Sequence, residues 1–378
     1  MTVSDKKAAS RRSFLKLGAA SGGAVAAGAL AAPAVLAQAP VTMKMQTSWP
    51  ASDIWMDFAR QYTERVEVMS GGRLKVDLLP AGAVVAAFQV LDGCHDGVID
   101  AAHSVCAYWY GKHKGASLFG TGPVFGGSAT TMLSWYYAGG GQEFYRELTQ
   151  DILGLNVVGM LGFPMFAQPF GWFKKEVATV DDVKGMKYRT VGLAADLMQQ
   201  MGMSVAQLPG GEIVPAMERS VIDAFEFNNP SSDLRFGAQD VAKHYYLSSY
   251  HQASECFEFL FNRDFYEDLD PDLQAIVRYA VEAASTSNTA MAMDNYSADL
   301  IKLKDEHGVN IHRTSKNILD AEIKAWDDLI PELEKDEFMK RVLDSQRQWV
   351  ERVTYYELMA APDYALAYEH YFPGKVKL

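Results

Sequence analysis

The chain has 378 residues, a formal net charge of −12 and three cysteines. An acidic surface repels phosphate backbones, which excludes nucleic acid as an expected partner. The length exceeds what one hydrophobic core usually supports, so two lobes are predicted. Cys94, Cys106 and Cys256 form neither a CxxC pair nor a zinc spacing, and a disulfide between Cys94 and Cys106 and buried free thiols both remain open.

The first 37 residues carry the pattern of an export signal. Residues 10–16 read Ser-Arg-Arg-Ser-Phe-Leu-Lys, a twin-arginine motif, and a Gly/Ala-rich, mildly apolar stretch follows to residue 32. This stretch is short and diluted by Gly and Ser, which disfavours the alternative of a membrane anchor. We expect cleavage after Ala37 and export to the periplasm by the twin-arginine route. Cleavage removes five Lys and Arg and one Asp, so the formal net charge changes from −12 to −16.

The start of the mature chain predicts a strand, a helix and a second strand. Residues 42–47 are predicted to form a strand, and a helix is predicted to begin near Ser52 or Asp53. Its apolar face has a four-residue spacing, made by Ile54, Phe58, Tyr62 and Val66. Residues 74–78 then alternate apolar and polar side chains, as in a strand. This order is typical of an α/β lobe with a largely parallel sheet.

The chain also echoes itself. Residues 79–82 and 208–211 are Pro/Gly turns, and each is followed by the same tetrapeptide, Val-Ile-Asp-Ala, at 98–101 and 221–224. Such short matches arise by coincidence too, but two similarly built lobes with a ligand cleft between them are favoured. We assign residues 41–165 and about 255–310 to lobe 1, and residues 166–254 to lobe 2.

The last third of the chain is predicted to be helical. From Pro271 to about Glu306 there is no further Pro and no Gly, which indicates a single helix long enough to lie along both lobes. A break near residues 285–287 is the competing possibility. Residues 311–378 are assigned to a helical C-terminal extension. Signatures of hydrolases, zinc proteases, nucleotide-binding loops and haem sites are absent from the sequence, which lowers the expectation of an enzyme.

Four polar residues stand in apolar surroundings. Arg189 lies where a short strand should end, and a guanidinium can bind a carboxylate through two parallel hydrogen bonds. Glu226 lies between two phenylalanines and therefore needs a cation or a hydrogen-bond donor. Gln168 and Gln252 lie in aromatic stretches. From the sequence, Arg189 could equally be a surface or structural arginine, and Glu226 part of a structural salt bridge.

Several stretches of the sequence together resemble a known protein family. Residues 168–175, 184–189 and above all 212–226 resemble the extracytoplasmic receptors of tripartite ATP-independent periplasmic (TRAP) transporters, and are similar to the group that binds 2-oxo acids. Residues 108–112, which include Tyr108 and Trp109, and residues 119–121 add a match in the first lobe. The resemblance implies a two-lobed solute-binding fold and a membrane permease as partner.

The resemblance also implies the site residues. A ligand carboxylate would bind Arg189, and a metal ion would bridge ligand and protein through Gln168, Glu226, the carbonyl of Phe227 and Gln252. Asn228, Tyr108 and Trp109 are further candidates for contact with the ligand. The chain departs from the family pattern, because Gln252 stands where a second glutamate is usual, Phe227 where Trp is usual, and Ser220 at a common turn glycine.

The loss of one carboxylate changes the expected charge of the cleft. Glu226 and a monocarboxylate ligand are balanced by Arg189 and a monovalent cation, so sodium is favoured over a site without metal. Calcium would fit only if a second carboxylate such as Glu255 turned inward, and zinc or copper is excluded by an all-oxygen ligand set. No organic cofactor is expected.

The sequence therefore predicts a periplasmic receptor that captures a 2-oxo or 2-hydroxy monocarboxylic acid and catalyses no reaction. Aromatic or branched acids are as plausible as pyruvate. The alternative is a secreted enzyme that acts on an oxo acid with Glu226 as base. A homodimer through the C-terminal helices is expected with the same weight as a tail that packs on its own lobes.

Overall fold

The computed structural model describes residues 39–376, and the predicted signal peptide of residues 1–37 lies outside the described residues. The strands are β1 (Val41–Thr47), β2 (Leu74–Leu79), β3 (Ala101–Val105), β4 (Val157–Met165), β5 (Gly171–Phe173), β6 (Lys187–Arg189), β7 (Ser204–Ala206), β8 (Ala224–Phe225), β9 (His244–Leu247), β10 (Glu255–Asn262) and β11 (Asn310–Arg313). The α-helices are α1 (Ile54–Met69), α2 (Val90–His95), α3 (Ala129–Ala138), α4 (Gly141–Arg146), α5 (Leu193–Gln200), α6 (Gly210–Glu218), α7 (Pro230–Phe236), α8 (Ala238–Val241), α9 (Arg263–Glu267), α10 (Pro271–Asp305), α11 (Lys316–Leu333), α12 (Glu337–Ala360) and α13 (Tyr364–Tyr371).

The first lobe is built on a five-stranded sheet in the order β2-β1-β3-β10-β4. β1 runs parallel to β2 and β3, and β10 runs antiparallel to β3 and β4. Helix α1 begins as predicted, because the Asp53 carboxylate accepts a hydrogen bond from the Trp55 backbone N–H at 3.0 Å. The predicted apolar face of α1 is completely buried. The α/β prediction is confirmed.

The second lobe is built on a six-stranded sheet in the order β11-β9-β5-β8-β6-β7. Its last strand, β11, pairs in parallel with β9 from Asn310 to Arg313. Residues 311–313 thus belong to the second sheet, whereas the sequence analysis placed them in the helical extension. A four-residue edge strand is too short to show a clear alternation, which is why the pattern of the sequence missed it.

The repeated tetrapeptide occupies equivalent places in the two lobes. The Asp100 carboxylate accepts a hydrogen bond from the Lys44 backbone N–H at 2.7 Å, and the Asp223 carboxylate accepts one from Lys187 N–H at 3.0 Å. In each lobe the same aspartate also donates its own N–H to the carbonyl of that lysine. The aspartate thus fixes the register between two parallel strands in both sheets.

Residues 166–170 and 248–254 cross between the two sheets, and we call residues 248–254 the interlobe segment. The two crossings are joined by a hydrogen bond from the Gln168 N–H to the Gln252 carbonyl at 3.0 Å. Polar groups at the crossings are therefore held at the boundary of the lobes.

Helix α10 is continuous over 35 residues, about 52 Å at 1.5 Å per residue. It packs against α1 and β4 of the first lobe and against α7 of the second. The possible break near residues 285–287 does not occur, because the hydroxyls of Ser285 and Ser287 donate to carbonyls one turn earlier and leave the helix intact. Ser285 Oγ also accepts a hydrogen bond from the Phe163 N–H at 2.7 Å, which ties the helix to β4.

The C-terminal helices return along both lobes. Helix α11 packs on α5 of the second lobe, and α12 packs on α3 of the first. Cys94, Cys106 and Cys256 are buried free thiols, so the disulfide that the sequence left open is not formed. Among residues 39–376, the helices are all too short or too polar to cross a membrane.

Candidate functional site

Arg189 ends β6, and its side chain is only 1% exposed. Nε donates to the Leu208 carbonyl at 2.8 Å, and Nη1 donates to both the carbonyl and the carboxylate Oε1 of Glu226 at 2.9 Å. Nη2 is buried and has no hydrogen-bond partner within residues 39–376. A buried guanidinium donor left without a partner is costly. This nitrogen is therefore the group that most needs an acceptor from outside the chain.

Glu226 follows β8 and is completely buried. Burial raises its pKa to about 7, although the charge of Arg189 opposes this shift. Its Oε1 forms the ion pair with Arg189 that the sequence left as one alternative. Its second oxygen, Oε2, faces the side-chain amide of Gln168.

The side-chain amide of Gln168 lies between two sets of polar atoms. One end is 2.7 Å from Glu226 Oε2 and 2.9 Å from the Phe227 carbonyl oxygen, and the other end lies beside the amide nitrogens of Gln252 and Asn228. With its nitrogen toward the oxygens, the amide donates two hydrogen bonds. With its oxygen toward them, three oxygens converge with no donor between them, which is an arrangement that a cation stabilises.

Gln252 and Glu255 extend this cluster. The Gln252 Nε2 donates to the Glu255 carboxylate, while Gln252 Oε1 is buried without a partner in the described chain. Glu255 is buried at the start of β10, and its pKa is raised well above its usual value by burial and then by the nearby charge of Glu226. Glu255 thus turns inward, which is the condition that the sequence set for calcium.

The donor set fits a hard cation. Its atoms are the Glu226 carboxylate, the Phe227 carbonyl and the amide oxygen of Gln168, and such oxygens suit sodium or calcium rather than zinc or copper. Gln252 turns its amide nitrogen toward Gln168 and Glu255, so the structure does not bring the predicted Gln252 oxygen into this set. Within residues 39–376, no group of three or more His, Cys, Asp and Glu side chains could hold a metal ion. A cation at this place would depend on the amide and carbonyl oxygens as well as on carboxylates.

Phe227 and Asn228 complete the second-lobe wall. The Phe227 ring lies 5.4 Å from the Arg189 guanidinium carbon and packs against Trp55 of the first lobe. Gly210 makes room for it, because a Cβ on Gly210 would lie 2.5 Å from the ring. Asn228 Nδ2 points toward the first lobe and lies 3.2 Å from Met165 Sδ.

The two predicted first-lobe residues differ. Tyr108 packs on Phe88 and Trp49 at the boundary of the lobes, and the charges of Arg189 and Glu226 act on its hydroxyl. The indole N–H of Trp109 instead donates to Glu258 at 2.5 Å inside the first lobe. That N–H is therefore not free to bind a ligand, and the structure does not bring it into the cluster.

Sequence reasoning gave too little weight to Glu255. It lies in an eight-residue strand whose side chains are all buried, and a carboxylate in such a run requires partners. The same signal marks Glu258, but that carboxylate is satisfied inside the first lobe by Trp109 and Tyr145. Leu208, in the turn that follows β7, contributes the backbone carbonyl that binds Arg189, and the residue type carries no signal for such a backbone contact.

Comparisons with known proteins assign the chain to a family. The family model of bacterial extracellular solute-binding proteins, family 7, matches residues 45–336. A monocarboxylate 2-oxoacid-binding periplasmic protein of Nostoc sp. is 31% identical over 310 residues, which cover 82% of this chain and 83% of that protein.

Solved structures of TRAP solute-binding proteins share the fold, each with a TM-score of 0.80 and coverage of 88% of this chain. One, from Colwellia psychrerythraea with bound calcium and pyruvate, is 30% identical and covered over 100% of its length. Another, from Pseudoalteromonas atlantica with bound sodium and pyruvate, is 29% identical and covered over 99%. A third, from Bordetella bronchiseptica, is 26% identical, covered over 97%, and is a mixed-occupancy dimer with copurified calcium and picolinate in one site and an apo second site.

The family model covers most of the chain, and the matched relatives are binding proteins rather than enzymes. The predicted receptor class is thereby confirmed, and the alternative of a secreted enzyme is not supported. The chain belongs to family 7 of the bacterial extracellular solute-binding proteins and is a periplasmic solute-binding receptor of the TRAP type.

Proposed function

We propose that the chain captures a small 2-oxo or 2-hydroxy monocarboxylic acid. The observation that carries the proposal is the buried Nη2 of Arg189, which has no hydrogen-bond partner in residues 39–376 and belongs to the side chain paired with Glu226 of the oxygen cluster that Gln168, Glu226 and Phe227 form. A ligand carboxylate supplies the acceptor that Nη2 needs, and its 2-oxygen together with the carboxylate can chelate a cation at the cluster. The acids bound by the Colwellia and Nostoc relatives belong to this class.

Aromatic side chains lie next to the charged groups of the site. Tyr108 and Phe227 supply aromatic walls next to the charged groups. Picolinate in the Bordetella relative carries an aromatic ring beside its carboxylate. Aromatic and branched acids therefore belong in the ligand panel with pyruvate.

The proposed cation balances the charges of the cleft. With Glu255 turned inward, Glu226, Glu255 and the ligand carry three negative charges against one positive charge on Arg189. A calcium ion brings this sum to zero, whereas a sodium ion does so only if Glu255 carries a proton. The raised pKa of Glu255 favours its protonated form in the metal-free site, whereas a bound calcium ion would favour the ionised form, so both cations are consistent with an inward Glu255 and both occur in relatives.

Calorimetry tests this proposal. The protein is unfolded and refolded to remove copurified ligand, then titrated with pyruvate, lactate and phenylglyoxylate in calcium, sodium and choline buffers of equal ionic strength. We expect at least one acid to bind at least about tenfold more tightly with one of the metal ions than in choline. Acetate, which lacks the 2-oxygen, is the control and should show no such dependence. Equal affinity in all buffers would remove the metal from the proposal.

We further propose that the lobes close on the acid and that the closed form docks on a TRAP permease. Small-angle scattering should show a smaller radius of gyration with ligand than without. Mass analysis of the recovered acid distinguishes capture from turnover, because a receptor returns the acid unchanged.

The C-terminal tail supports a proposed homodimer. Residues 351–376 are largely exposed, including Tyr356 at 71%, Tyr364 at 73% and Tyr371 at 73%. The tail beyond Val350 thus leaves an apolar surface that its own lobes do not cover. Light scattering at micromolar concentration should give the mass of a dimer, and removal of residues 351–378 should give a monomer. A monomer mass for the full mature chain would exclude the dimer.

Export by the twin-arginine route remains a proposal. It depends on Arg11 and Arg12 in the motif at residues 10–16. Replacement of both by Lys should leave the precursor in the cytoplasm, whereas Lys16→Arg is the matched control. Normal periplasmic accumulation of the double variant would point to another route.

A further inference from the structure

The interlobe segment presents Gln252 to the cation cluster without strand pairing of its own. It begins at Ser248, whose φ of +71° is a left-handed conformation that non-glycine residues rarely adopt. It ends where Glu255 opens β10. Its two ends therefore belong to different lobes. Because no strand pairing fixes the segment itself, contacts from other elements must hold its conformation.

Helix α11 of the C-terminal extension makes those contacts. The Glu322 carboxylate accepts a hydrogen bond from the Tyr250 N–H at 2.7 Å and another from the Ser249 hydroxyl. One turn further along, the Trp326 indole N–H donates to the Tyr250 carbonyl at 2.9 Å. Both peptide groups of Tyr250 are thus bound by side chains of one helix face.

Glu322 is an unusual residue for its position. It lies on the buried face of α11, one turn from Ile318 and one turn from Trp326, and is completely buried. Its hydrogen-bond donors within residues 39–376 are Ser249 and Tyr250, neither of which is a cation. An apolar side chain would fit this face at lower cost, since an unpaired buried carboxylate is expensive.

The Glu322 contacts also reach the neighbours of Gln252. The Ser249 hydroxyl that bonds to Glu322 lies 2.6 Å from Nδ1 of His251, the residue before Gln252. The backbone carbonyl of Gln252 in turn accepts from the backbone N–H of Gln168, so the contacts of α11 are connected through the backbone of residues 249–252 to both glutamines of the cluster. A shift of the segment by a fraction of an ångström would move Gln252 relative to Glu226.

We propose that Glu322 and Trp326 are positioning residues that hold the interlobe segment so that Gln252 keeps Gln168 in place at the cation cluster. This inference rests on the proposed function, and it gives the C-terminal extension a role in solute binding beyond assembly. The two residues act through the backbone of Tyr250 and do not touch the ligand.

Replacement of Glu322 tests the inference. Glu322→Leu suits the apolar face but removes both acceptors, and Glu322→Gln keeps an amide oxygen for the Tyr250 N–H. Pyruvate is titrated calorimetrically at a series of calcium or sodium concentrations, and the unfolding midpoint of the ligand-free protein is measured alongside. We expect the apparent cation affinity to fall about tenfold in Glu322→Leu, as for other residues that orient metal ligands, and to return in Glu322→Gln.

A second variant keeps the test decisive if Glu322→Leu does not fold. Trp326→Phe removes only the indole N–H, and it should weaken cation affinity in the same direction. Trp349→Phe is the matched control, because Trp349 lies in α12, away from the segment, and the change removes an indole hydrogen bond of 3.1 Å to Ser134 in α3. It should leave cation affinity unchanged.

The outcomes separate this inference from the proposed function. A folded Glu322→Leu or Trp326→Phe protein with the cation dependence of the wild type would overturn the positioning role alone. A Glu322→Gln protein as weak as Glu322→Leu would also overturn it, because charge rather than hydrogen bonding would then matter. A wild-type protein whose pyruvate affinity ignores the cation would overturn both.

Discussion

The two lobes contain the same strand framework with different side chains at the strand ends. Asp100 and Asp223 fix equivalent parallel strand pairs. Counted from these anchors, the position of Arg189 in the second lobe corresponds to Gln46 in the first, and the position of Glu226 corresponds to His103. One lobe therefore places neutral groups where the other places an ion pair.

The difference lies in where these groups find their partners. Gln46 is satisfied within its own lobe, because it donates to the Val85 carbonyl at 2.7 Å and accepts from the Val84 and Val85 N–H groups. His103 accepts from the Trp49 indole at 2.7 Å. Within residues 39–376, His103 Nε2 and Arg189 Nη2 are both buried without a hydrogen-bond partner, but the imidazole is neutral whereas the guanidinium is charged. The comparison teaches that the shared framework builds the lobe, and that a charged donor without a partner marks the strand end that binds.

Arg189→Gln gives the second lobe the residue that the first lobe has at the equivalent position, Gln46. It should have the largest effect on ligand binding. It removes the hydrogen-bond donor proposed for the ligand carboxylate. It also leaves Glu226 without its ion-pair partner, which should lower the free energy of unfolding by about 4 kcal/mol, as for other buried charge pairs that lose one member. Binding of pyruvate and its analogues should become undetectable by calorimetry. Arg235→Gln, which loses a partly exposed ion pair with Asp57, is the control and should bind normally. Retained binding in Arg189→Gln would assign the carboxylate to another group.

Arg189→Lys sharpens the comparison by keeping the charge. Lysine cannot reproduce the bonds to Leu208 and Glu226 together with a third donor toward the ligand. We expect a loss of at least about 2 kcal/mol, or thirtyfold in affinity, by calorimetry. An affinity close to that of the wild type would show that charge alone, rather than the geometry of the guanidinium, holds the acid.

The framework was largely predictable, because its signals are local. The periodicity of α1, the Pro- and Gly-free run of α10 and the repeated tetrapeptide all depend on neighbouring residues. Arg189, Glu226, Gln168 and Gln252 could be singled out because each is polar in an apolar stretch, and the structure brings these four together. Their roles as ligands remain proposals.

The remaining features depend on long-range packing. Trp109 was selected as an aromatic beside Tyr108, but which of two adjacent side chains faces the cleft is decided by the buried Glu258 on a distant strand. The inward turn of Glu255 and the contact of Glu322 with Tyr250 likewise join residues that are far apart or in separate elements. The local sequence pattern contains no signal for such pairings.

His103 tests the neutral half of the comparison. Burial lowers its pKa to about 3, below the usual value of 6.5, so the folded protein resists protonation. The contribution of His103 to the free energy of unfolding is complete above pH 6.5 and is lost as the pH falls toward 3. About 2 kcal/mol of it should be lost between pH 7 and pH 5. His103→Gln, whose amide oxygen can accept from Trp49, should remove that part of the acid sensitivity in urea unfolding.

The control for this measurement is His370→Gln, which replaces an exposed histidine. His251 is also buried with a pKa of about 3, so a similar acid sensitivity remains in the His103 variant. An unchanged difference between pH 7 and pH 5 in His103→Gln would mean that His103 does not titrate as the comparison requires.

Glu226→Gln gives the second lobe a neutral residue where the first has His103. Among the variants of the site, it should have the smallest effect on ligand affinity. Arg189 can still bind the carboxylate, and an amide oxygen can still accept from Nη1, whereas the cation loses its anionic ligand. Because coupling free energy is reciprocal, ligand and cation must raise each other's affinity by the same factor. That factor should fall about tenfold in Glu226→Gln, while pyruvate affinity in choline buffer changes much less. Glu212→Gln, an exposed acid in the first turn of α6, is the control. If the coupling factor persists in Glu226→Gln, the cation must be held by other groups, and the inward Glu255 is then the carboxylate to replace next, because it is the other acid that the structure brings to the cluster.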